Sequence, residues 1–366
     1  MHKVRDIVAA VEKLAPMSMM FSWDRAGLQI GGMDDPVTKI VVSLDASMAA
    51  AEYAIDQRAQ MLLSHHPLVW EPLKTLTPGK PNVDVALRLI KHGIAFLGAH
   101  TNWDAAPGGI NCTLAEKLGL RNVRTFGETA NTKEFKIVVF APGAALQSLI
   151  DAMSQAGAGV IGNYERCAFF STGHGTFRGN ENSNPTVGRR EVEETVEETR
   201  IEMRVASACL DRVLAAMKSA HPYEEPAFDV MPLEIGAGYP IGRVGELDSP
   251  MIWRDLQNHI DLKLDVRSQI WLPQDASEIK TIALVGGGAS GYWRQAKPTG
   301  ADAYLTGEIK QDDALAGTES GLVMIQAGHY ATEQPGMAEM AKRLRAMTGV
   351  DTVLFEPEPG TSGRPA

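Results

Sequence analysis

The sequence predicts an α/β protein: a doubly wound, mainly parallel sheet core with an inserted ferredoxin-like α+β domain. Three observations predict it. Short apolar strands alternate with helical stretches from the N-terminal region to Leu118, which implies a parallel sheet covered on both faces. From about residue 130 the order changes to β-α-β-β-α-β, the split pattern of a ferredoxin-like domain. After Gly236 the alternation of strands and helices resumes. The core is therefore discontinuous, residues 1–128 with 236–366, and the insert spans 130–235.

The elements follow in order. Residues 39–44 (KIVVSL), 61–64 and 94–99 read as strands, and 47–57, 83–91 and 109–118 as the helices between and after them. In the insert, residues 135–140 are a strand and 144–155 a helix. Residues 166–171 are a strand expected to end in the glycine-rich turn Thr172-Gly173-His174-Gly175. A polar loop, 179–188, precedes the acidic run 190–198, which reads as a solvated strand or loop. A strand (199–205), a helix (209–220) and a strand (227–232) complete the unit. In the last part 281–285, 303–306, 322–327 and 352–355 are strands. Residues 334–347 form a helix with Pro335 in its first turn, where proline is tolerated.

The chain has 366 residues, enough for two or three domains, and its 44% hydrophobic and 22% charged fractions are those of an ordinary globular protein. No apolar run approaches the roughly 20 residues of a membrane span. The N-terminal segment MHKVRDIVAAVEKLAP has an amphipathic helix pattern without a signal-peptide core. Cys112, Cys167 and Cys209 are scattered and odd in number, which points to a reducing compartment and a cytoplasmic protein. A net charge of −10 argues against a general nucleic-acid binder.

Chemistry concentrates at three places, each just after an apolar strand. They are Ser64-His65-His66, then Ala99-His100-Thr101-Asn102-Trp103-Asp104, then Gly328-His329 followed by Glu333. In an open α/β sheet, ligands bind in the crevice outside the carboxyl ends of the strands. His65 and His66 are neighbours, and where a strand ends both can face the crevice, an arrangement suited to one metal per ring. Asp104 could bridge two cations. Glu333, placed where the next helix begins, would be favoured there by the helix dipole. Three His and two carboxylates suffice for two ions with positions left for water, and the mixed shell suits Zn, Fe, Mn, Ni or Co. The plain alternative is a set of hydrogen-bonded structural histidines, with Asp104 or Thr332 as helix caps. Convergence on three strand ends favours the metal reading.

Other features carry less. Val285-Gly286-Gly287-Gly288-Ala289-Ser290-Gly291 follows a strand but lacks the spacing and the Lys-Ser/Thr pair of a Walker loop. Its expected role is to let backbone approach the crevice closely. The methionines read as core filler. His221-Pro222-Tyr223-Glu224-Glu225-Pro226 reads as a rigid lead into the last strand of the insert.

The chain resembles the Nif-three-like dinuclear-metal family, whose members often carry the name GTP cyclohydrolase I type 2 homologue. The resemblance rests on Ser22-Trp23-Asp24-Arg25-Ala26-Gly27-Leu28-Gln29-Ile30-Gly31, Ser64-His65-His66-Pro67-Leu68, Ala99-His100-Thr101-Asn102-Trp103-Asp104, Ala301-Asp302-Ala303-Tyr304-Leu305-Thr306-Gly307-Glu308, and Gly328-His329 with Glu333. It covers nearly the whole chain. The middle unit resembles the insert of longer bacterial members, which is similar to PII-like and CutA-like domains. The resemblance implies two divalent metal ions held by His65, His66, Asp104, His329 and Glu333, and a ring-shaped homohexamer. In one place the sequence departs from the family: Glu308-Ile309-Lys310-Gln311-Asp312 stands where many relatives have Asp and then a His.

These observations lead to a metal-dependent hydrolase acting on a small molecule, with a purine nucleotide and hydrolytic ring opening as the reaction the resemblance implies. His100, outside the five-residue metal set, is the candidate general acid/base. A phosphoesterase would use the same metal chemistry. The alternative in another class is a non-catalytic metal-binding hexamer with a regulatory or docking insert.

Overall fold

The computed structural model describes residues 2–129, 134–161, 164–233, 239–275, 278–361 and 364–365. The chain divides into two compact units, Met1–Asn131 with Ala237–Ala366, and Thr132–Gly236. The boundaries expected near 130 and 235–236 fall on residues outside the described ones.

The first unit contains two mixed sheets, where the sequence predicted one mainly parallel sheet. The first sheet has five strands, ordered Asp351–Leu354, Lys39–Ser43, Met61–Ser64, Ala95–Gly98 and Gly27–Ile30. The first four run parallel and the last antiparallel. The second has six, ordered Gln269–Trp271, Val323–Gln326, Ala303–Thr306, Ile279–Leu284, Pro240–Met251 and Arg121–Thr129. Val323–Gln326, Ala303–Thr306 and Ile279–Leu284 pair in parallel, and every other pairing in this sheet is antiparallel. The antiparallel flanks escaped the sequence reading for physical reasons. Arg121–Thr129 is a largely exposed edge with one buried residue, Phe126, and Pro240–Met251 opens on a proline and contains Gly242 and Gly245. The helix Trp253–Leu264, which packs Leu256, Ile260 and Leu264 beneath the second sheet, was also not anticipated.

Within the parallel strands, alternation of side chains serves two apolar layers rather than one apolar and one wet face. Val41, Leu62 and Phe96 meet the helices Met48–Asp56 and Pro81–Lys91 through Ala50, Ala54, Val85 and Leu89. Their neighbours Ile40, Val42, Leu63 and Leu97 pack on the opposite face with Ile7, Trp103, Met337 and Leu344. The second sheet repeats the device with Leu284, Leu305 and Ile325 on one side and Ala283, Tyr304 and Met324 on the other. Both layers dry, the only polar places left at these strands are their ends.

The long helix His329–Thr348 starts five residues earlier than the sequence reading placed it, so Pro335 lies inside the helix and not in its first turn. Lacking an N–H, Pro335 leaves the Ala331 carbonyl without its usual intrahelical donor. The next residue, Gly336, lets the helix approach Ile110 closely: a Cβ at Gly336 would lie 2.7 Å from Ile110 Cα. The Gly336 carbonyl also accepts the Trp103 indole N–H at 3.1 Å.

The second unit is a four-stranded antiparallel sheet ordered Phe228–Leu233, Glu134–Ala141, Glu193–Ala206, Ala168–Arg178. Helices Leu146–Gln155 and Leu210–Ala220 cover one face, with Leu149, Met153, Val213 and Met217 against Ile137, Val139, Ile201 and Met203. The glycine-rich turn expected at 172–175 is instead continuous strand, with His174 opposite Glu197. Pairing along the whole hairpin overrides the turn tendency of its glycines.

Gly336→Ala is expected to destabilise the protein by about 1–3 kcal/mol, because the overpacking against Ile110 outweighs the helix-propensity gain of alanine. Chemical denaturation checks it; an Ala variant as stable as the parent would show that the two helices can separate without cost.

Candidate metal centre

Every parallel strand of the two sheets except the terminal Asp351–Leu354 delivers a polar group or a glycine turn just past its carboxyl end. Lys39–Ser43 leads to Asp45, Met61–Ser64 to His65 and His66, and Ala95–Gly98 to His100 and Asp104. In the second sheet Ile279–Leu284 leads to the glycine loop at Gly286, Ala303–Thr306 to Glu308, and Val323–Gln326 to His329. The predicted crevice is thus built from strand ends of two sheets.

Glu333 is at its centre. It is four residues after His329 on the same helix face, and its carboxylate is buried at 4% exposure. Its two oxygens serve different neighbours. Oε1 lies 3.8 Å from His65 Nε2, while Oε2 lies 3.3 Å from His66 Nε2 and 3.1 Å from His329 Nε2. Asp104 Oδ1 lies 3.6 Å from His65 Nε2. Two groups result, His65 with Asp104 and Glu333, and His66 with His329 and Glu333, each with ligand atoms mutually within 4.8 Å. Glu333, not Asp104, is the carboxylate common to both. Because the helix begins at His329, Glu333 lies in the second turn, where the helix-dipole stabilisation expected from the sequence has faded.

All five sequence-predicted ligand residues are therefore brought together, and His100 joins them: its ring is 5.0 Å from that of His65, and the three residues His65, His66 and His100 also lie within ligand reach of one another. Asp104 is inside the short helix Thr101–Ala105 and is not a cap. Thr332 is no cap either: its hydroxyl donates to helix carbonyls and accepts the Gly287 N–H at 3.0 Å.

Of the partners that orient the rings, Asp45 was not singled out in the sequence, and Asp24 and Glu308 stood only within the segments that carry the resemblance. His65 Nδ1 bonds the Ala99 carbonyl at 2.9 Å, His66 Nδ1 bonds Asp45 Oδ1 at 2.7 Å, and His329 Nδ1 bonds Glu308 Oε1 at 2.7 Å. His100 Nδ1 bonds Asp24 Oδ1 at 2.8 Å, and Asp24 is fixed in turn by the Thr101 amide at 2.9 Å and by the Thr101 hydroxyl. Each contact turns the Nε2 edge inward, the arrangement by which ligating histidines are usually held. Position after a strand end was the available signal for Asp45 and Glu308. Glu308 thus positions His329.

The glycine loop does what its composition suggests. Gly287 has φ +67°, and a Cβ there would collide with Glu333 Oε1 and approach His329 Nε2 to 3.2 Å. Asn111 Oδ1 accepts the Gly286 N–H at 2.7 Å and pins the loop. In the second unit, His221 has both ring nitrogens bonded, to the Phe140 carbonyl and the Tyr223 amide, consistent with a lead into the last strand.

The residues fit a metal. His65 Nε2, His329 Nε2 and Glu333 Oε2 are buried atoms with no well-formed hydrogen bond, a costly arrangement unless something ligates them. Protonation is shifted accordingly. Burial opposes charge on Glu333, yet the His65, His329 and His66 rings hold it well below the ordinary carboxylate range. Burial also opposes a charge on His66, but the Asp45 and Glu333 carboxylates beside its ring nitrogens push it up to about 10. The Glu333 carboxylate beside His329 raises that ring to about 9, against burial and with help from Glu308. Asp104 is pushed up to about 7, by burial first and the Glu333 charge second.

Two mixed sheets whose strand ends enclose a buried cluster of imidazoles and carboxylates define an α/β protein with a metal-competent crevice. The chain belongs to the Duf34/NIF3 (NGG1p interacting factor 3) family, whose profile matches residues 2–359. A Halalkalibacterium halodurans protein named GTP cyclohydrolase 1 type 2 homolog is 31% identical over 349 residues, covering 94% of each chain. A Bacillus subtilis protein of the same name is 33% identical over 328 residues, covering 89% of this chain and 88% of that one. Among solved structures, a Bacillus cereus protein related to NIF3 is 32% identical with a TM-score of 0.64, covering 99% of this chain and 98% of that one.

Cation binding should release protons. At neutral pH the rings of His66 and His329 carry protons that must leave before Nε2 can ligate. Calorimetric titration of metal-stripped protein with Zn²⁺ or Mn²⁺ in buffers of different ionisation enthalpy should show release, and affinity should fall as pH falls. Heat independent of the buffer would contradict this protonation pattern.

Proposed function

We propose that the crevice is the active site of a metal-dependent hydrolase acting on a nucleotide, as the name shared by the curated relatives suggests. The observation that carries the reading is the division of the Glu333 carboxylate between two ligand groups. His65 and Asp104 with one oxygen, and His66 and His329 with the other, would hold two divalent ions per chain. When bound, such ions lower the pKa of water and polarise the bond under attack.

The protein's own groups supply the rest. Asp24 holds the His100 ring through Nδ1, which turns Nε2 toward the cluster. In this reading that nitrogen would accept a proton from water and hand one to a leaving group. Asp24 itself stays ionised: burial would raise it, but the bond to His100 and the Thr101 contacts hold it low.

The second unit we read as an inserted ferredoxin-like domain, supported by its β-α-β-β-α-β order and its strand sequence 4-1-3-2. Assembly into a homohexamer rests on the family resemblance alone.

His100→Ala should retain both ions and lose ~10²–10⁴-fold in turnover, the usual contribution of general acid/base catalysis. Glu333→Ala should lose metal and turnover together. Elemental analysis beside a GTP assay for formate decides it. Metal loss in His100→Ala would make that residue a ligand, and release of phosphate in place of formate would make the protein a phosphoesterase.

A further inference from the structure

An aromatic platform stands beside the histidine cluster, and nothing in the site so far uses it. Trp23 and Trp70 are 56% and 40% exposed, a large apolar surface to leave in water. Their rings are nearly parallel, 6.4 Å between centroids at 17°. Phe21 stacks on Trp23 as well, 5.9 Å away at 7°. Both tryptophans present an edge contact to His100, Trp70 at 5.2 Å and Trp23 at 6.1 Å.

The platform is fixed in place. Trp23 and Trp70 belong to segments far apart in sequence, and two side chains tie the segments together. Arg25 donates to the Trp23 carbonyl at 2.9 Å and to the Trp70 carbonyl at 3.2 Å. Gln29 Oε1 accepts the Leu68 and Val69 amides at 3.0 and 2.9 Å, and its amide donates to the Arg25 and Val69 carbonyls. Such bonding holds two large rings in a set spacing before any partner arrives, so a ligand that stacks on them meets little ordering cost. Position then decides the partner: rings that end against His100, which itself faces His65 and His66, are continuous with the crevice and not a separate surface.

We propose that Trp23 and Trp70 form a stacking subsite for a planar heteroaromatic ring, a nucleobase or a ring of that size, which holds it beside His100. The proposal deepens the nucleotide reading above, but the ring subsite is tested by binding and does not require turnover. Stacking tolerates any base, because every base has a π-face, so the subsite orients a ring without choosing among bases.

The test uses the metal-loaded full chain and follows tryptophan fluorescence during titration with guanosine, adenosine, uridine and nicotinamide, with ribose 5-phosphate as the ring-free control. At least one ring compound should give a saturable change that the control does not. Trp70→Ala and Trp23→Ala should each weaken that binding roughly ten-fold or more, the scale of one base–aromatic stack, while Trp70→Phe restores most of it. Circular dichroism and metal content confirm that the variants are folded and loaded. If a ring compound binds through these residues but no substrate turns over, the subsite stands and the hydrolase reading fails. If no probe gives a saturable response, or the Ala variants bind as the parent does, the subsite is overturned. A Trp23→Ala variant that changes sedimentation behaviour but not ring binding would overturn it too, by showing the platform to be a contact between copies of the chain.

Discussion

The site depends on one buried carboxylate. Glu333 cannot be left alone in an apolar layer, because an unpaired buried charge costs several kcal/mol even after relaxation. The helix that carries it places His329 one turn away on the same face, and the strand end at Ser64 supplies two more rings. Their positions satisfy the anion, and the anion fixes their positions. The loop across from it can be only glycine at Gly287, since a side chain there would occupy the place of the Glu333 oxygen. Geometry and charge thus select the same residues.

Around this centre a second ring of contacts holds the Nε2 edges inward. A backbone carbonyl serves His65, and a carboxylate serves each of His66, His100 and His329. The carboxylates stand on different segments of the chain, so the cluster exists only when both sheets of the first unit are formed. Such a site is preorganised: its polar groups are paired with protein before any ligand comes, and only the inward-facing atoms are left for chemistry. Asp24 is the clearest case. It is buried, bonded by Thr101 and aimed at His100, and it links the aromatic segment to the histidine cluster.

Much of this was legible in the sequence, and for a definite reason. The parallel strands are apolar on both faces, so a His or carboxylate immediately after one has few places to go except the crevice. That logic found His65, His66, His100, Asp104, His329 and Glu333. It also gave the glycine loop its role. Where side chains act through tertiary neighbours, local pattern was silent. Asp45 looks like an ordinary polar residue in a turn until the ring it holds is in view, Glu308 and Trp23 stand out only through the family resemblance, and Trp70 looks like a scattered aromatic. The two-sheet architecture was hidden because its antiparallel flanks are exposed, glycine-containing or short. That Glu333, and not Asp104, is common to both ligand groups was hidden for a related reason: the start of the long helix, and with it the i,i+4 pairing of His329 and Glu333, cannot be read without knowing that Pro335 is tolerated inside the helix.

Anomalous scattering from crystals of the metal-loaded protein should show two peaks on opposite sides of the Glu333 carboxylate, one beside His65 and Asp104 and the other beside His66 and His329. A single peak, or one ligated by His100 in place of Glu333, would contradict that arrangement.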